Sequence, residues 1–487
     1  MDPRRLLPCD DAPVRPSGDY VLYWMIAARR ARSSHALDQA LRHARALGKP
    51  LLVFEPLRFD YRWASVRHHA FVVDGMIDNE AAFGAAGVTY LPYVEPSTGA
   101  ASGLLEALAA RACVVVTDVF PGFFLDRMVK AAAAKLPVRV EAIDGNGVLP
   151  IRAAEAPSVF AHAFRRHMQR TLPTLVDDAP APDPLHGYDL GPATVPPLTR
   201  WAPTDLAALR SSGVALPGLD ATVRVTSTRG GAQAGAALLD QFLRVRLPRY
   251  ADDRSDPAAD VASGLSPYLH YGHVGAHEVV RAVLLRDGWT RARWAPKPNG
   301  RREGWWNASP EAESFLDELI TWRELGYGFC WHRADDFDQY DGLPTWALAS
   351  LEKHAGDKRP VLYDRAQLAA GRTHDPIWNA AQAQLVRDGV IQNYLRMLWG
   401  KKVLEWSASP REAFETLIEL NNRYATDGRD PNSYSGIAWT FGRFDRPWGP
   451  ERPIFGTIRY MSSDATRKKL DLDAYLRKWG SQPSLIV

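Results

Sequence analysis

Residues 19–145 alternate short apolar runs with longer stretches in which apolar positions recur every three or four residues. The short runs are typical of buried strands, and the longer stretches are typical of amphipathic helices. Strand-like runs occupy 19–26, 50–57, 88–95, 113–120 and 138–144, and helix-like stretches occupy 33–48, 66–87, 103–112 and 123–136. This succession predicts a Rossmann-like α/β domain on a parallel sheet. No GxGxxG motif follows the first strand, so the fold alone indicates no particular ligand.

The pattern changes twice further along the chain. Residues 149–235 are rich in proline, alanine and aspartate, which predicts an interdomain connection with helical pieces such as 160–172. From residue 236 onward helical periodicity dominates and strand signals are scarce. We therefore predict an α/β domain over 1–148, a connection over 149–235 and an all-α domain over 236–487.

Composition restricts the class of protein but does not indicate a function. The chain has 487 residues, of which 46% are hydrophobic and 24% charged, and a net charge of +3, which permits a nucleic-acid partner without requiring one. Three scattered cysteines, Cys9, Cys113 and Cys330, predict neither a disulfide framework nor a CxxC metal pair. No window approaches a membrane span, and the histidines lack metal-ligand spacing. We expect a cytoplasmic protein, nucleoid-associated if bacterial, with no membrane partner and no metal.

Residues 307–332 contain the first chemically informative pattern. Ser309, followed by proline and an acid, predicts the start of a helix. On that helix Glu318 lies on an apolar stripe, one turn from Trp322. An ion pair with Arg323 or with a neighbouring helix is the simpler interpretation, and a functional carboxyl is the alternative.

Residues 373–406 predict a helical face that carries tryptophans. Arg396, Trp399 and Trp406 share this face, and the two tryptophans are two turns apart, about 10.5 Å in rise. Core packing explains such a stripe without any function, whereas electron transfer along the indoles is the alternative. A buried arginine on the same face needs a partner.

Residues 421–463 are dense in glycine, proline, aspartate and arginine. Because apolar periodicity is weak there, we predict a long loop, and long ordered loops are more often functional than idle. Cations and aromatic rings interleave in it, as expected where phosphates and bases are bound together. They are Arg443, Arg446, Arg452 and Arg459, with Trp439, Phe444 and Trp448.

In order and spacing these stretches closely resemble the catalytic domain of class II cyclobutane pyrimidine dimer photolyases, a branch of the photolyase/cryptochrome family. The resemblance covers roughly 243–463, through SGLSPYLHYGHV, FLDELITWREL, HDPIWNAAQ, NYLRMLWGKKVLEW, NNRYATDGRDPNSYSGIAW and DRPWGPERPIFGTIRYMS. The N-terminal part resembles the family's antenna domain in pattern, but after YWM it has IAARRARSSHAL where the family has a more charged segment.

The resemblance implies the photolyase/cryptochrome architecture, with an antenna-type α/β domain and an all-α domain that binds a U-shaped FAD. Arg396 and Asp427 would form a buried ion pair beside the flavin, and Asn421 would face flavin N5. Other residues would hold the phosphates, partly through backbone N–H groups at a helix start. The implied cofactor-binding residues are Tyr250, Ser263, Leu265, Ser266, Asn393, Arg396, Asp427 and Asn421.

The resemblance also implies the residues that act on the substrate. Trp399, nearest the flavin, would continue through Trp378 and Trp406 as an electron chain that ends near solvent. Glu318 would hydrogen-bond the carbonyls of the lesion, and apolar surroundings would raise its pKa and keep it protonated as a donor. The implied lesion pocket consists of Trp322, Met397 and Trp439, and the implied residues that enter the gap left by the flipped dimer are Arg446 and Trp448.

The implied activity is that of a deoxyribodipyrimidine photo-lyase, which repairs cyclobutane pyrimidine dimers in DNA by electron transfer from excited reduced FAD to the flipped-out lesion. Contact with damaged DNA would be salt-dependent and nearly independent of sequence. The sequence leaves three alternatives for the antenna site, which are a deazaflavin, a folate or no second chromophore. The resemblance further implies a monomer.

Three alternatives accompany this prediction. A cryptochrome-like photoreceptor would bind FAD without repairing DNA, but retention of Glu318 and of the pocket tryptophans favours repair. Repair of a 6–4 lesion is disfavoured because no histidine stands at the matching pocket positions. A non-flavin nucleotide-binding protein has only the α/β fold in its favour.

Overall fold

A computed structural model describes residues 1–175 and 177–480 and divides the chain into two compact units. The first unit consists of Met1–Glu155, His167–Gln241 and Gly264–Trp294. The second consists of Ala156–Arg166, Phe242–Ser263 and Ala295–Val487. Each unit is therefore discontinuous along the chain. The domain boundaries at residues 148 and 235 stay predictions.

The first unit contains a six-stranded sheet in the order β1-β6-β5-β2-β3-β4. All five predicted strands are confirmed, and they pair in parallel. A sixth, β1, was not predicted because three residues are too few for a periodic signal, and it pairs antiparallel with β6. The strands are β1 (Leu6–Pro8), β2 (Tyr20–Trp24), β3 (Leu51–Leu57), β4 (Thr89–Val94), β5 (Ala112–Asp118) and β6 (Val140–Ile143).

The four predicted helices that alternate with these strands are also confirmed. The first begins where Ser34 accepts a hydrogen bond from the Leu37 N–H and ends at Gly48, which adopts a left-handed conformation. The helices of this unit are α1 (His35–Leu47), α2 (Val66–Ala85), α3 (Leu104–Ala109), α4 (Leu125–Ala133), α6 (Leu206–Ser211), α7 (Ala232–Gln241), α9 (Ser266–His270) and α10 (Ala276–Arg286). A further helix, α5 (Ala161–Thr171), contributes residues to both units and confirms the helical piece expected within the connection.

One buried carboxylate organises the turn after β2. Asp118, at the end of β5, accepts hydrogen bonds from the N–H groups of Ile26, Ala27 and Ala28 at 2.9, 2.8 and 3.0 Å. It also accepts one from the Tyr23 hydroxyl at 2.9 Å. In doubly wound sheets this crevice, where the strand order reverses, is the usual ligand position. Here three backbone N–H donors of the turn are already paired with a protein carboxylate.

The second unit is helical, with no strand among its described residues. Two of its segments are π-helical, Phe242–Arg246 and Asp317–Trp322. None of the described helices is long and apolar enough to cross a membrane. The remaining helices are α8 (Tyr250–Asp253), α11 (Pro310–Leu316), α12 (Arg323–His332), α13 (Thr345–Lys353), α14 (Arg365–Ala369), α15 (Pro376–Asp388), α16 (Asn393–Trp406), α17 (Pro410–Tyr424), α18 (Pro431–Thr440), α19 (Ser463–Lys469) and α20 (Asp473–Trp479).

Two local predictions need correction. The helix that begins after Ser309 is not uniform, because the π-helical segment separates α11 from α12. The loop predicted over 421–463 is wrong in its first half, which holds the end of α17 and all of α18. Asp430, whose side chain accepts from the Asn432 N–H, and Pro431 at the first turn start α18. The weak apolar periodicity around the preceding turn, residues 425–430, obscured that signal.

Candidate functional site

The three predicted electron-transfer tryptophans form a contacting row in the second unit. Trp378 on α15 lies between the two tryptophans of α16, with ring centroids 6.2 Å from Trp399 and 5.8 Å from Trp406. The rings of Trp378 and Trp399 are nearly parallel, at 7°. The Trp378 Nε1–H donates to the Trp399 carbonyl and the Trp399 Nε1–H donates to the Gln382 side-chain oxygen, both at 3.0 Å. Hydrogen bonds thus fix the orientation of two adjacent indoles.

The outer end of this row differs from the prediction. Trp406 is 1% exposed, so the row does not reach solvent at that ring. Its ring contacts those of Tyr363 and His374, at centroid distances of 5.5 and 5.2 Å. Tyr363 is half-buried, His374 is exposed, and the Tyr363 hydroxyl lies 2.7 Å from His374 Nδ1. The path from Trp406 to the surface therefore passes these two side chains, which the sequence did not single out.

A polar cluster lies one turn before Trp399 on α16. Arg396 Nη2 is 3.6 Å from Asp427 Oδ1, and Arg396 Nη1 donates to Asn421 Oδ1 at 3.4 Å. The expected ion pair is therefore present but loose, and the Arg396 side chain is about a quarter exposed. Asn421 is buried, and its amide donates to Asn422 at 3.2 Å. A cation, a carboxylate and an amide beside a buried indole suit the polar edge of a heteroaromatic ring such as a flavin.

The remaining predicted cofactor residues are not grouped by any described contact. Tyr250, Ser263 and Asn393 belong to the second unit, whereas Leu265 and Ser266 belong to the first. The Tyr250 ring is nearly buried and packs edge-on against the rings of Phe242 and Phe315. Asn393 is the first residue of α16 and is exposed. Their contacts with phosphates stay predictions.

Glu318 and Trp322 both lie on the π-helical segment Asp317–Trp322. Such segments are rare and are frequent at functional sites. Glu318 Oε1 forms an ion pair with Arg254 Nη2 at 2.5 Å, and the two side chains are 26% and 25% exposed. Of the two partners that the sequence offered, Arg323 or a neighbouring helix, the second is the one seen here, because Arg254 caps the end of α8. Arg323 lies 4.2 Å from the centre of the Tyr327 ring. The apolar stripe therefore holds a paired carboxyl that solvent can still reach.

Burial raises the pKa of Glu318 above its ordinary value. The Arg254 cation opposes this shift through its charge and its hydrogen bond, whereas the neighbouring Asp317 adds to it. Asp317 itself is paired with Arg165, at 2.6 and 3.0 Å. Apolar surroundings alone were expected to favour the protonated acid. The structure adds an opposing cation from outside the predicted motifs.

The segment after α18 is organised by Asp445. Its carboxylate accepts from Trp448 Nε1 and Arg459 Nε, each at 2.9 Å, and from the Arg446 N–H. Burial alone would raise the pKa of Asp445, but these hydrogen bonds outweigh it and the pKa lies below its ordinary value. Arg459 Cζ is 4.1 Å from the centre of the Trp448 ring, and Arg446 Cζ is 5.3 Å from it. The predicted cation and aromatic pairs are thus in contact here.

Three other residues singled out in the sequence have different environments. Trp439, in the last turn of α18, is half-buried. Met397 is also half-buried and follows Arg396 on α16. Arg443, grouped by the sequence with the phosphate-binding arginines, instead points into the fold, where it donates to the Gly342 carbonyl and lies 4.7 Å from the Phe329 ring. It is therefore a packing residue.

Sequence patterns missed four residues that the structure places in this site. Arg254, Gln382 and Asp445 gave no signal, because each acts on a residue that is far away in sequence or lies in an irregular segment. Lys401 did leave a signal, since a lysine within the apolar run of α16 must be buried. The tryptophans of the same helix give a stronger pattern that masks it.

No family model matches the chain. The deoxyribodipyrimidine photo-lyase of Methanothermobacter thermautotrophicus is 32% identical over 464 residues, 94% of both chains. That of Oryza sativa is 33% identical over 479 residues, 95% of this chain and 87% of its own length. The crystal structure of a class III photolyase from Agrobacterium tumefaciens has a TM-score of 0.69 at 18% identity, covering 95% of this chain and 86% of its own. The structural likeness confirms the two-part fold.

Replacing Arg254 by glutamine should raise the pKa of Glu318 further, because burial and Asp317 still disfavour the carboxylate once the opposing cation is gone. The carboxyl would then keep its proton to higher pH than in the original chain. An infrared titration of the protonated carboxyl band, assigned with Glu318→Gln, measures this shift. Arg249→Gln, which removes an exposed arginine paired with Asp253, should leave the titration unchanged. A lower pKa in Arg254→Gln would contradict the assigned balance of forces.

Proposed function

Since this chain belongs to the photolyase/cryptochrome family, we propose that it is a deoxyribodipyrimidine photo-lyase of the class II type, which uses near-ultraviolet or blue light to repair cyclobutane pyrimidine dimers in DNA. One observation carries the proposal. A single helical unit combines a row of contacting indoles, a polar cluster suited to a flavin edge, and a carboxyl with a raised pKa on a π-helical segment.

FAD is the cofactor that family membership implies, and the cluster on α16 and α17 suits it chemically. Arg396, Asp427 and Asn421 would hold the polar edge of its ring system, since together they offer a cation, an anion and an amide. Bound in reduced form, FAD supplies the light-driven electron for repair. The phosphates would be held by Tyr250, Ser263, Leu265, Ser266 and Asn393.

The indole row would carry electrons inward from a reductant in solution. Trp399 would be the ring nearest the cofactor, since it lies three residues after Arg396 on the same face of α16. Trp378 connects it to Trp406, with ring centroids 6.2 and 5.8 Å apart. Because Gln382 and the main chain hold the indole N–H groups, the rings keep this contact as charge moves.

Glu318 and Arg254 would stabilise negative charge on the lesion. A carboxyl with a raised pKa can donate a hydrogen bond to a base carbonyl, and a guanidinium 2.5 Å away adds positive charge at the same place. Preorganised donors of this kind act where charge develops and need no reorganisation during the reaction. Protonated Glu318 is the state that would assist ring opening.

Trp322, Met397 and Trp439 would line the pocket for the extruded dimer, since their half-buried side chains offer two indoles and a thioether to the bases. Arg446 and Trp448 would enter the gap in the duplex, supported by the hydrogen bonds of Asp445. We further propose that the protein acts as a monomer in the cytoplasm. A deazaflavin or a folate is the expected class of any antenna chromophore in the first unit.

The decisive experiment is repair of an oligonucleotide that carries one thymine dimer. The purified, FAD-loaded protein should restore the two thymines under near-ultraviolet or blue light and not in the dark. The same oligonucleotide with a 6–4 lesion is the matched substrate control and should stay unrepaired. A flavin-binding protein that repairs neither lesion would be a photoreceptor of the same family, and a protein that takes up no flavin would overturn the proposal.

Trp399→Phe should abolish reduction of the bound flavin by light and an external reductant, because it removes the oxidisable ring beside Arg396. Repair after chemical reduction should be nearly unchanged, since that route does not use the indole row. Bleaching of oxidised-flavin absorbance under blue light measures the first effect. Trp479→Phe removes a tryptophan of similar burial on α20 and should photoreduce normally. Surviving photoreduction in Trp399→Phe would show that the electron route is assigned wrongly.

Glu318→Ala should lower the quantum yield of repair on the order of tenfold, because a donor that acts on developing charge is lost. Dark binding of the dimer-containing oligonucleotide should change less than the yield. Photon-counted repair and equilibrium binding measure the two quantities separately. Glu311→Ala, in the first turn of α11, is the control and should alter neither. An equal loss of affinity and yield would make Glu318 a binding residue only.

A further inference from the structure

Lys401 is a buried lysine that the mechanism above leaves without a role. It lies on α16 with 0% exposure, which is costly for an ammonium group unless its surroundings compensate. Its Nζ donates to the carbonyl of Thr440, the last residue of α18, at 2.5 Å. A cation at the carboxyl end of a helix interacts favourably with the unpaired carbonyls and the helix dipole. Lys401 therefore anchors the end of α18.

The same ammonium group lies against Trp439. Nζ is 5.0 Å from the centre of the Trp439 ring, within the range of a cation–π interaction. Arg459 Cζ lies 5.7 Å from the same ring and binds Asp445, which also holds Trp448. A single buried cation thus touches the indole of the proposed lesion pocket and the helix end from which the DNA-contacting segment continues.

The backbone shows that this contact is closely fitted. A Cβ atom at Gly400, the residue before Lys401, would lie 2.7 Å from the Thr440 Oγ1, so the Thr440 side chain of α18 packs directly against the backbone of α16 here. Lys402, the next residue, contacts a different part of the structure. It pairs with Glu405 at 2.8 Å and lies 5.4 Å from the Trp406 ring. Of these two adjacent lysines, only Lys401 has a contact with Trp439.

We propose that Lys401 is a positioning residue for lesion recognition, whose ammonium group holds Trp439 and the end of α18 in the arrangement that receives the extruded dimer. The inference rests on the proposed function, because it takes Trp439 as part of the lesion pocket. Lesion binding then depends on the charge of Lys401. General DNA binding, which uses phosphates, does not.

The charge of Lys401 changes within an accessible pH range. Burial lowers its pKa to about 7, while Asp445 favours the charged form and Arg459 opposes it. Below about pH 7 the ammonium is present and lesion affinity should be highest. As pH rises through that value the charge is lost, so lesion affinity should fall. Folding responds in the opposite sense, because the unfolded lysine keeps its proton up to its ordinary pKa and stability gains as pH rises between the two values.

The test is dark binding of FAD-loaded protein to an oligonucleotide with one thymine dimer and to its undamaged counterpart, from pH 6 to pH 9, values bracketing the pKa of about 7. Lys401→Met keeps chain length without charge and should lower the ratio of damaged to undamaged affinity about tenfold below pH 7, with a flat pH profile. Thermal stability should not fall, since an apolar side chain replaces a buried charge. Lys402→Met is the matched control and should keep the original ratio and its pH dependence.

The possible results distinguish the role of Lys401 from the proposed function. A Lys401→Met ratio and pH profile equal to those of the original chain would overturn the role of Lys401 and leave the proposed function intact. An equal loss of affinity for both oligonucleotides would also overturn it, because general damage to the fold acts on both. Should Lys401→Met fail to fold, the original chain and Lys402→Met still supply the pH profile, and a flat ratio there rejects the inference. A chain without preference for the dimer at any pH would reject the proposed function itself.

Discussion

The cost of burying charge on one helix is the constraint on which the functional unit depends. Helix α16 has no purely solvent-facing side: Arg396, Lys401 and Lys402 share it with buried tryptophans. Each cation therefore needs a partner from the surrounding structure or from its own helix, and each has one, in Asp427, the Thr440 carbonyl and Glu405. Two of these contacts fix how α16 meets the elements around it. Burial of the hydrophobic residues drives the packing of α16, and the partners that its cations require restrict which neighbouring elements it can pack against.

Sequence patterns predicted the α/β unit well because alternating buried strands and amphipathic helices repeat a simple period over residues 19–145. They failed at β1, which is too short, and at α18, which starts after the irregular turn 425–430 and has weak apolar periodicity. Residues on one helix, such as Trp399 and Trp406, were placed together correctly. Arg254 and Asp445 were missed, because pairing across long sequence separation leaves no periodic trace. The role of most site residues came from resemblance, since spacing alone left core packing as the simpler explanation.

The tryptophans of the second unit occupy two electrostatic environments. In the row of Trp378 and Trp399 the indole N–H groups meet neutral acceptors, a carbonyl and an amide. Trp439 and Trp448 instead lie within about 6 Å of lysine or arginine cations. A nearby positive charge disfavours removal of an electron from an aromatic ring. Trp406 also has a cation nearby, because Lys402 Nζ lies 5.4 Å from its ring centre. The division therefore holds for Trp378 and Trp399, whose indole N–H groups meet neutral acceptors, and does not extend to the outer ring of the row.

The π-helical segment Asp317–Trp322 has a consequence for how this unit tolerates change in chain length. A π-helical turn accommodates one residue more than the regular helix on either side requires, so the helices before and after it differ in angular phase. Removing a single residue there would let α11 and α12 merge into one continuous helix. The merged helix would be the more regular structure. However, its second half would be rotated about the helix axis by roughly 100° from its present orientation relative to the first half. Local regularity and the present arrangement of Glu318 and Trp322 are therefore mutually exclusive.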